Sequence, residues 1–278
     1  MNQLNTNEFY VDQKKCIRCG SCVNDCPVNI LVIGDGTPFV ADGRGADCIG
    51  CQHCLAVCPE GAVSVLGLQP DDSYLLEGAD LPTQPQIDRL LKGRRSIRRY
   101  FDEDVEPTVI QQLLQVAFMA PSARNNRRLS FSVIDKGEVM ERFRRQTFDG
   151  LSDLVTNNEL PVGYEFFADI VNGWKMYEAD VLFRWAPHLL VASVPADSPS
   201  GEVDGIISLS HFEMAAQCAG LGTLWNGLVK MVMTLIPELR TPLKIPEDDQ
   251  VVFAMSFGKP DINYARAAQY EPVIRVVD

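Results

Sequence analysis

Eight of the nine cysteines fall in two runs of identical spacing. Cys16, Cys19, Cys22 and Cys26 form C-x2-C-x2-C-x3-C and precede Pro27; Cys48, Cys51, Cys54 and Cys58 repeat the pattern 32 residues later and precede Pro59. Two intervening residues let a tight loop turn three thiolates toward one centre. Structural zinc takes four ligands, usually as two CxxC units across a longer spacer, and has no use for a third cysteine two residues on. Three closely spaced thiolates plus a fourth, twice over, suit the ligation of two iron–sulfur clusters, read here as 4Fe–4S. Each trailing proline turns the chain away and removes a competing amide donor. His53, inside the second loop, reads as a loop residue beside the cluster, since thiolates already supply four ligands. Cys218, on an apolar helical stretch, reads as a small buried residue.

The rest of the composition bounds the compartment and the partners. Of the 278 residues, 25 are Lys or Arg and 37 Asp or Glu, a formal net charge of −12. Residues 1–80 carry 4 basic and 11 acidic side chains, net −7, and residues 81–278 carry 21 and 26, net −5. An acidic surface disfavours nucleic acid and anionic membranes, both polyanions, and favours partners with a basic docking face. No apolar run of ~18 residues marks a membrane span. The polar start MNQLNTNEFYVDQKK lacks a signal-peptide apolar region. A cytoplasmic location is the expectation, and a reducing compartment itself favours metal over disulfides for the cysteines.

The elements that must position the cysteines follow each run. The apolar stretches ILVIGDG and AVSVLG read as short strands ending at glycine turns. Residues 1–68 resemble a bacterial two-cluster ferredoxin of βαβ-type pseudo-symmetric fold. In such ferredoxins the fourth cysteine of each run ligates the other cluster. The resemblance therefore implies one cluster on Cys16, Cys19, Cys22 and Cys58, and the other on Cys48, Cys51, Cys54 and Cys26. The domain is taken as residues 1–70. A proline-rich, acidic linker spans residues 71–85, and a second domain covers residues 86–278.

In the second domain the periodicity changes. Ile87, Leu90 and Leu91 make a helical stripe ending at Gly93; Pro107 opens a second helix with Ile110, Leu113, Leu114, Ala117 and Phe118 at helical spacing. Strands are expected at 129–135, 187–194 and 251–257, and helices at 138–148 and 203–219. The alternation predicts an α+β or α/β domain.

Four ordered segments then resemble the nitroreductase-like FMN enzymes. GRRSIRRYFDEDVEP is similar to their opening R-R-S-x-R motif, and MAPSARNNRRLSFSVI to their A-P-S-x-x-N-x-Q-P-W-x-F segment. HFEMAAQCAGLGTLWNG resembles their A-A-x-x-x-G-L-G-T-x-W-x-G segment, and FGKPDINYAR their closing G-x-P with a downstream arginine. The resemblance implies a three-layer α/β/α domain that binds FMN at a homodimer interface. Arg94, Ser96 and Arg98, with Arg95 in the same cluster, are assigned to the FMN phosphate or the pyrimidine edge of the ring. Arg266 matches the family's C-terminal phosphate-binding arginine; a guanidinium fork suits a phosphate dianion. Pro121, Ser122, Ala123 and Asn125 would reach the ribityl chain and ring edge of the other subunit's flavin. Leu224, Trp225, Asn226 and Gly227 would bring backbone amides toward N5 and O4. Arg127, Arg128 and Leu129 depart from the family's Q-P-W. Residues 149–180 are read as a variable lid, with Tyr164, Trp174 and Tyr177 available to stack on a flat substrate, or as an aromatic-bearing helix packed on the partner subunit. His188 and His211 read as structural.

The implied activity is that of an FMN-dependent oxidoreductase. Two 4Fe–4S clusters would relay electrons from an external donor, such as a ferredoxin or reductase, to the flavin. The acceptor would be a small flat molecule such as a nitroaromatic or quinone. No catalytic side chain is required beyond positioning and electrostatics, and no dinucleotide-binding G-x-G-x-x-G unit is apparent. Alternatives are an electron-transfer or redox-sensing module without small-molecule turnover, or reductive dehalogenation of an aromatic substrate.

Overall fold

The 32-residue repeat of the cysteines extends to the backbone. In the computed structural model, which describes residues 8–34, 36–76 and 81–277, left-handed turns recur at the same interval. Arg18 (φ 59°) corresponds to Gly50 (φ 63°), Gly20 (φ 76°) to Gln52 (φ 63°), and Asn29 (φ 52°) to Gly61 (φ 53°). A non-glycine residue in this region costs ~1–2 kcal/mol, so each pair marks a turn the loop cannot do without. Gly20 and Gln52 are the N-caps of two one-turn helices, α1 (Ser21–Asn24) and α2 (His53–Ala56).

The chain divides into two compact units, Met1–Leu81 with Arg124–Arg127, and Pro82–Ala123 with Arg128–Asp278. In the first unit β1 (Phe9–Val11) pairs antiparallel with β4 (Val63–Val65), and β2 (Leu31–Ile33) with β3 (Pro38–Val40). β2 and β4 are the strands expected after each cysteine run. β1 and β3 are three-residue partners too short to carry a periodic signal. The core is small: Phe9, Val11, Ile30, Leu31, Val40, Leu55, Val63 and Val65 close around Cys22 and Cys26. Of the expected linker, residues 77–80 lie outside the described residues. Pro70–Asp72 form a single 3-10 turn, and a helix begins at Gln84.

The second unit is a three-layer α/β/α arrangement. α3 (Gln84–Gly93) starts at a Thr83–Gln86 capping box and α4 (Pro107–Phe118) at a proline in its first turn. Then follow β5 (Ser130–Ile134), α5 (Gly137–Thr156), α6 (Phe167–Tyr177), β6 (His188–Pro195) and α7 (Gly201–Cys218). β7 (Gly222–Trp225), α8 (Gly227–Leu235) and β8 (Asp249–Gly258) complete it. The sheet order is β5-β6-β8-β7, with every neighbour antiparallel. β6 is buried on both faces and shows why helices cover both. Leu189 and Val191 join the core under α5, α6 and α8; Leu190, Ala192 and Val194 join the core under α4 and α7. No helix among the described residues is long and apolar enough to cross a membrane.

Residues 149–180 are largely helical and contribute to the core. α5 continues to Thr156, and Leu151, Phe167 and Val171 are fully buried in the sheet-facing core. Trp174 stacks on Phe148 (centroids 4.2 Å, 6°) and Tyr164 on Phe167 (6.2 Å, 11°), so two of the three aromatics pack inward; Tyr177 is exposed.

Candidate functional site

The eight cysteines line two separate cavities, and the runs cross between them. Cys16, Cys19, Cys22 and Cys58 surround one of ≈ 320 Å³; Cys26, Cys48, Cys51 and Cys54 surround one of ≈ 400 Å³. The short helices explain the crossing. Cys26 and Cys58 each follow the last turn, where Cys26 N donates to Val23 O and Cys58 N to Leu55 O, and are carried to the far side. Among the described residues no three such side chains converge on a single-ion site. The quartets instead wall a space, as a cube of iron and sulfide requires and a tetrahedral zinc does not. Backbone amides already point at sulfur: Ala62 N to Cys58 Sγ (3.2 Å) and Gly50 N to Cys48 Sγ (3.4 Å). Burial pushes the Cys54 thiol up to about 12 and raises Cys22 and Cys48, while the Ser21 hydroxyl holds Cys19 down. Thiols this reluctant to ionise in apolar surroundings become ligands through the charge of bound iron. The donor set and cavities fit two clusters. His53 pairs with Asp25 (3.2 Å) at the surface.

In the second unit the R-R-S-x-R segment is laid along β7. Ser96 forms a parallel bridge with Thr223, and Ile97 N donates to Thr223 O at 2.8 Å. Gly222 is required by this approach, since a Cβ there would lie 2.4 Å from Ile97 Cγ1. The result is a pocket of ≈ 640 Å³ lined by Arg94, Arg95, Gln217, Gly220, Thr223 and Tyr264 among others. Arg266 and Lys92 line an adjoining one that shares Gly93 and Tyr264. Arg94 Nη1 donates to Glu213 Oε1 (3.2 Å), which also accepts from Thr223 Oγ1 (3.1 Å); Glu213 is buried. The Gln217 amide donates to Leu90 O (3.1 Å), yet its buried Oε1 has no partner. Cations, an orphaned acceptor and a glycine-lined strand fit the phosphate and ribityl hydroxyls of a flavin nucleotide. Arg98 is exposed, with Nη1 donating to Ser96 O (3.4 Å).

The remaining expected residues are placed unevenly. Leu224 is buried, and Trp225 meets Phe253 edge-on (5.4 Å, 64°). The Asn226 side chain is spent on the scaffold: Nδ2 donates to Leu182 O (2.7 Å) and Ser256 Oγ (2.9 Å), and Oδ1 caps α8 by accepting from Val229 N (3.1 Å). Gly227 is the first residue of α8. Pro121 and Ser122 precede Ala123, whose amide donates to the buried carboxylate of Asp204 (3.0 Å). Asn125 belongs to the first unit, where Nδ2 donates to Ile49 O (3.0 Å). Arg124, Asn125 and Arg127 are all left-handed (φ 51°, 53°, 50°). Cys218 is exposed, not buried, because it ends α7. His188 is structural: Nε2 accepts from Val105 N at 2.9 Å, and burial lowers its pKa. Glu213, Gln217, Thr223 and Asp204 escaped the sequence reading. The first two lie four residues apart on one helix face, the single local signal they carry.

Comparison with known proteins agrees with both halves. A 4Fe-4S dicluster domain matches residues 12–63, and the nitroreductase family matches residues 91–259. The ferredoxin-type protein MauM for methylamine utilization in Methylobacillus flagellatus is 41% identical over 63 residues, 19% of this chain; the chain spans 26% of that protein. Nitrobenzene nitroreductase of Ectopseudomonas oleovorans is 28% identical over 210 residues, covering 65% of this chain and 89% of that protein. The fold of a solved nitroreductase with bound FMN from Bacteroides fragilis superposes with a TM-score of 0.57 at 16% identity, over 69% of this chain and 99% of the other. The second unit thus has the nitroreductase fold, preceded in the chain by an iron–sulfur domain. The chain belongs to the nitroreductase family and carries a dicluster 4Fe–4S domain at its N-terminus.

Proposed function

We propose that this chain is a cytoplasmic FMN-dependent oxidoreductase whose two 4Fe–4S clusters relay electrons to the flavin. The flavin in turn reduces a small flat acceptor such as a nitroaromatic or quinone. The observation that carries the reading is the coexistence, in one chain, of two crossed cysteine quartets and an arginine-lined pocket beside β7. The clusters supply one-electron steps, and FMN couples them to two-electron chemistry. Arg94, Arg95 and Arg266 would hold the phosphate, Ser96 and Gln217 the ribityl chain, and Arg98 the pyrimidine edge. Glu213 fixes the Arg94 guanidinium, so its fork is oriented before phosphate arrives. The backbone of Leu224–Gly227 would approach the ring, with Asn226 locking that turn through its three side-chain hydrogen bonds.

A homodimer with flavin at its interface agrees with apolar side chains that this chain leaves in solvent. Val116, Phe118 and Met119 are 48%, 42% and 72% exposed, and Val273, Ile274, Val276 and Val277 at least 74%. Pro121, Ser122, Ala123 and Asn125 are assigned to the partner's flavin. Steady-state reduction of nitrobenzene and quinones by anaerobic holo-protein, supplied with a low-potential carrier, tests the activity. Turnover that is lost in Arg94→Met together with bound FMN is expected. A fully loaded protein that turns over no acceptor would sink the enzymatic reading in favour of a relay module.

A further inference from the structure

We propose that the loop bearing Lys14, Lys15, Ile17 and Arg18 is the docking surface for an acidic one-electron carrier protein. Electrons would pass there to the cluster held by Cys16, Cys19, Cys22 and Cys58. The two quartets differ in access to solvent. Cys26, Cys48, Cys51 and Cys54 are buried or half-buried, whereas Cys19 of the other quartet is exposed. Electron exchange between proteins favours the redox centre nearest the surface, and that centre lies beside Ile17, an apolar side chain 61% exposed.

The charge around it is opposite to that of its surroundings. Residues 1–80 contain four Lys and Arg against eleven acids, and three of the four are Lys14, Lys15 and Arg18. All three are exposed, and among the described residues none is ion-paired. Asp12 accepts from the backbone amide of Lys14 (2.8 Å) and keeps its charge, and Glu60 acts on Cys19, so three cations face two carboxylates here. The loop is held in shape by Cys16 N donating to Asp12 O (2.9 Å) and by the left-handed Arg18 (φ 59°). Screening beyond ~10 Å at 0.1 M salt means that a protein at contact range meets this patch and not the net charge of the chain. The basic-faced partner expected from overall composition would be repelled here. A carrier with an acidic rim and an apolar centre fits. In the exchange one electron leaves the reduced carrier and enters the cluster; no bond or proton moves.

The proposal needs the cluster but not the flavin, so failure of the relay to FMN leaves it standing. Stopped-flow reduction of the anaerobic holo-protein by reduced flavodoxin, an acidic carrier, followed at the cluster absorbance, tests it. The wild-type rate should fall as salt rises above ~0.1 M. Substituting Lys14→Glu, Lys15→Glu and Arg18→Glu together should slow it ~10–100-fold at ~0.1 M salt, where the patch is felt apart from the net charge. Reduction by photoreduced deazaflavin, which has no docking surface, should change less than ~2-fold. Iron and sulfide content verifies loading. If the triple variant loads poorly, the salt dependence of the wild type and a Lys15→Gln variant decide. A wild-type rate that rises with salt above ~0.1 M, or a loaded triple variant as fast as wild type, overturns the proposal.

Discussion

Every strand of the first unit has three residues, whereas β8 of the second has ten and β6 eight. The first unit folds around eleven buried apolar residues, two of them cysteines that line the cluster cavities. The second packs two separate cores on the faces of one sheet. In one region the cofactors would be structural members; in the other the scaffold is complete and the cofactor would enter a pocket left at its edge. Metal binding in the first unit is therefore part of its folding free energy, as in small metal-organised domains.

The largest effect that tests this contrast is removal of iron. Anaerobic chelation, or Cys22→Ala with Cys54→Ala, should abolish amide protection throughout residues 8–76 while β6 and β8 keep theirs. Hydrogen exchange read by mass spectrometry checks it; protection surviving in the first unit would break the contrast. Next is Gly222→Val. Its Cβ would lie 2.4 Å from Ile97, so the substitution should cost ~1–3 kcal/mol. It should also expel FMN without lowering iron content, measurable by thermal unfolding and flavin absorbance.

A smaller effect comes from His188, whose burial holds its pKa below the ordinary imidazole range, against the opposite pull of Asp104 and Asp135. An unfolded His takes up its proton near pH ~6.5, whereas the folded one must stay neutral to accept from Val105 N. The unfolded state thus binds more protons below that pH, and stability of the second unit should fall as pH drops through ~6. His188→Gln should flatten that slope in pH-dependent denaturant titrations. Smallest is Gln52→Gly. It removes the left-handed penalty at the position equivalent to Gly20 and should stabilise the first unit by at most ~1 kcal/mol, seen as slower loss of cluster absorbance in denaturant.

The same contrast explains what the sequence disclosed. A cluster's ligands sit two or three residues apart, so spacing alone reveals them, and the crossing of Cys26 and Cys58 is what the ferredoxin resemblance implies. The pocket proposed for the flavin is assembled over long separations: Arg94 meets Glu213, and Ser96 meets Thr223. The family motifs locate its walls, yet nothing local marks Glu213 as the carboxylate that orients Arg94. Periodicity found the long elements β6, α4 and α7. It missed β1, β3 and β7, each four residues or fewer, and left 149–180 open between a lid and an aromatic-bearing helix. There a second helix covers the core with aromatic side chains whose polar neighbours obscure the pattern. Asn226 matched its motif, and its side chain caps α8.

The central claim, that the clusters feed the flavin, is tested most directly by anaerobic reductive titration of the holo-protein with combined absorbance and EPR detection. The account predicts about eight irons and one FMN per chain, with added electrons appearing in the clusters and then draining into the flavin until it is fully reduced. Clusters that remain reduced beside an oxidised flavin would contradict it.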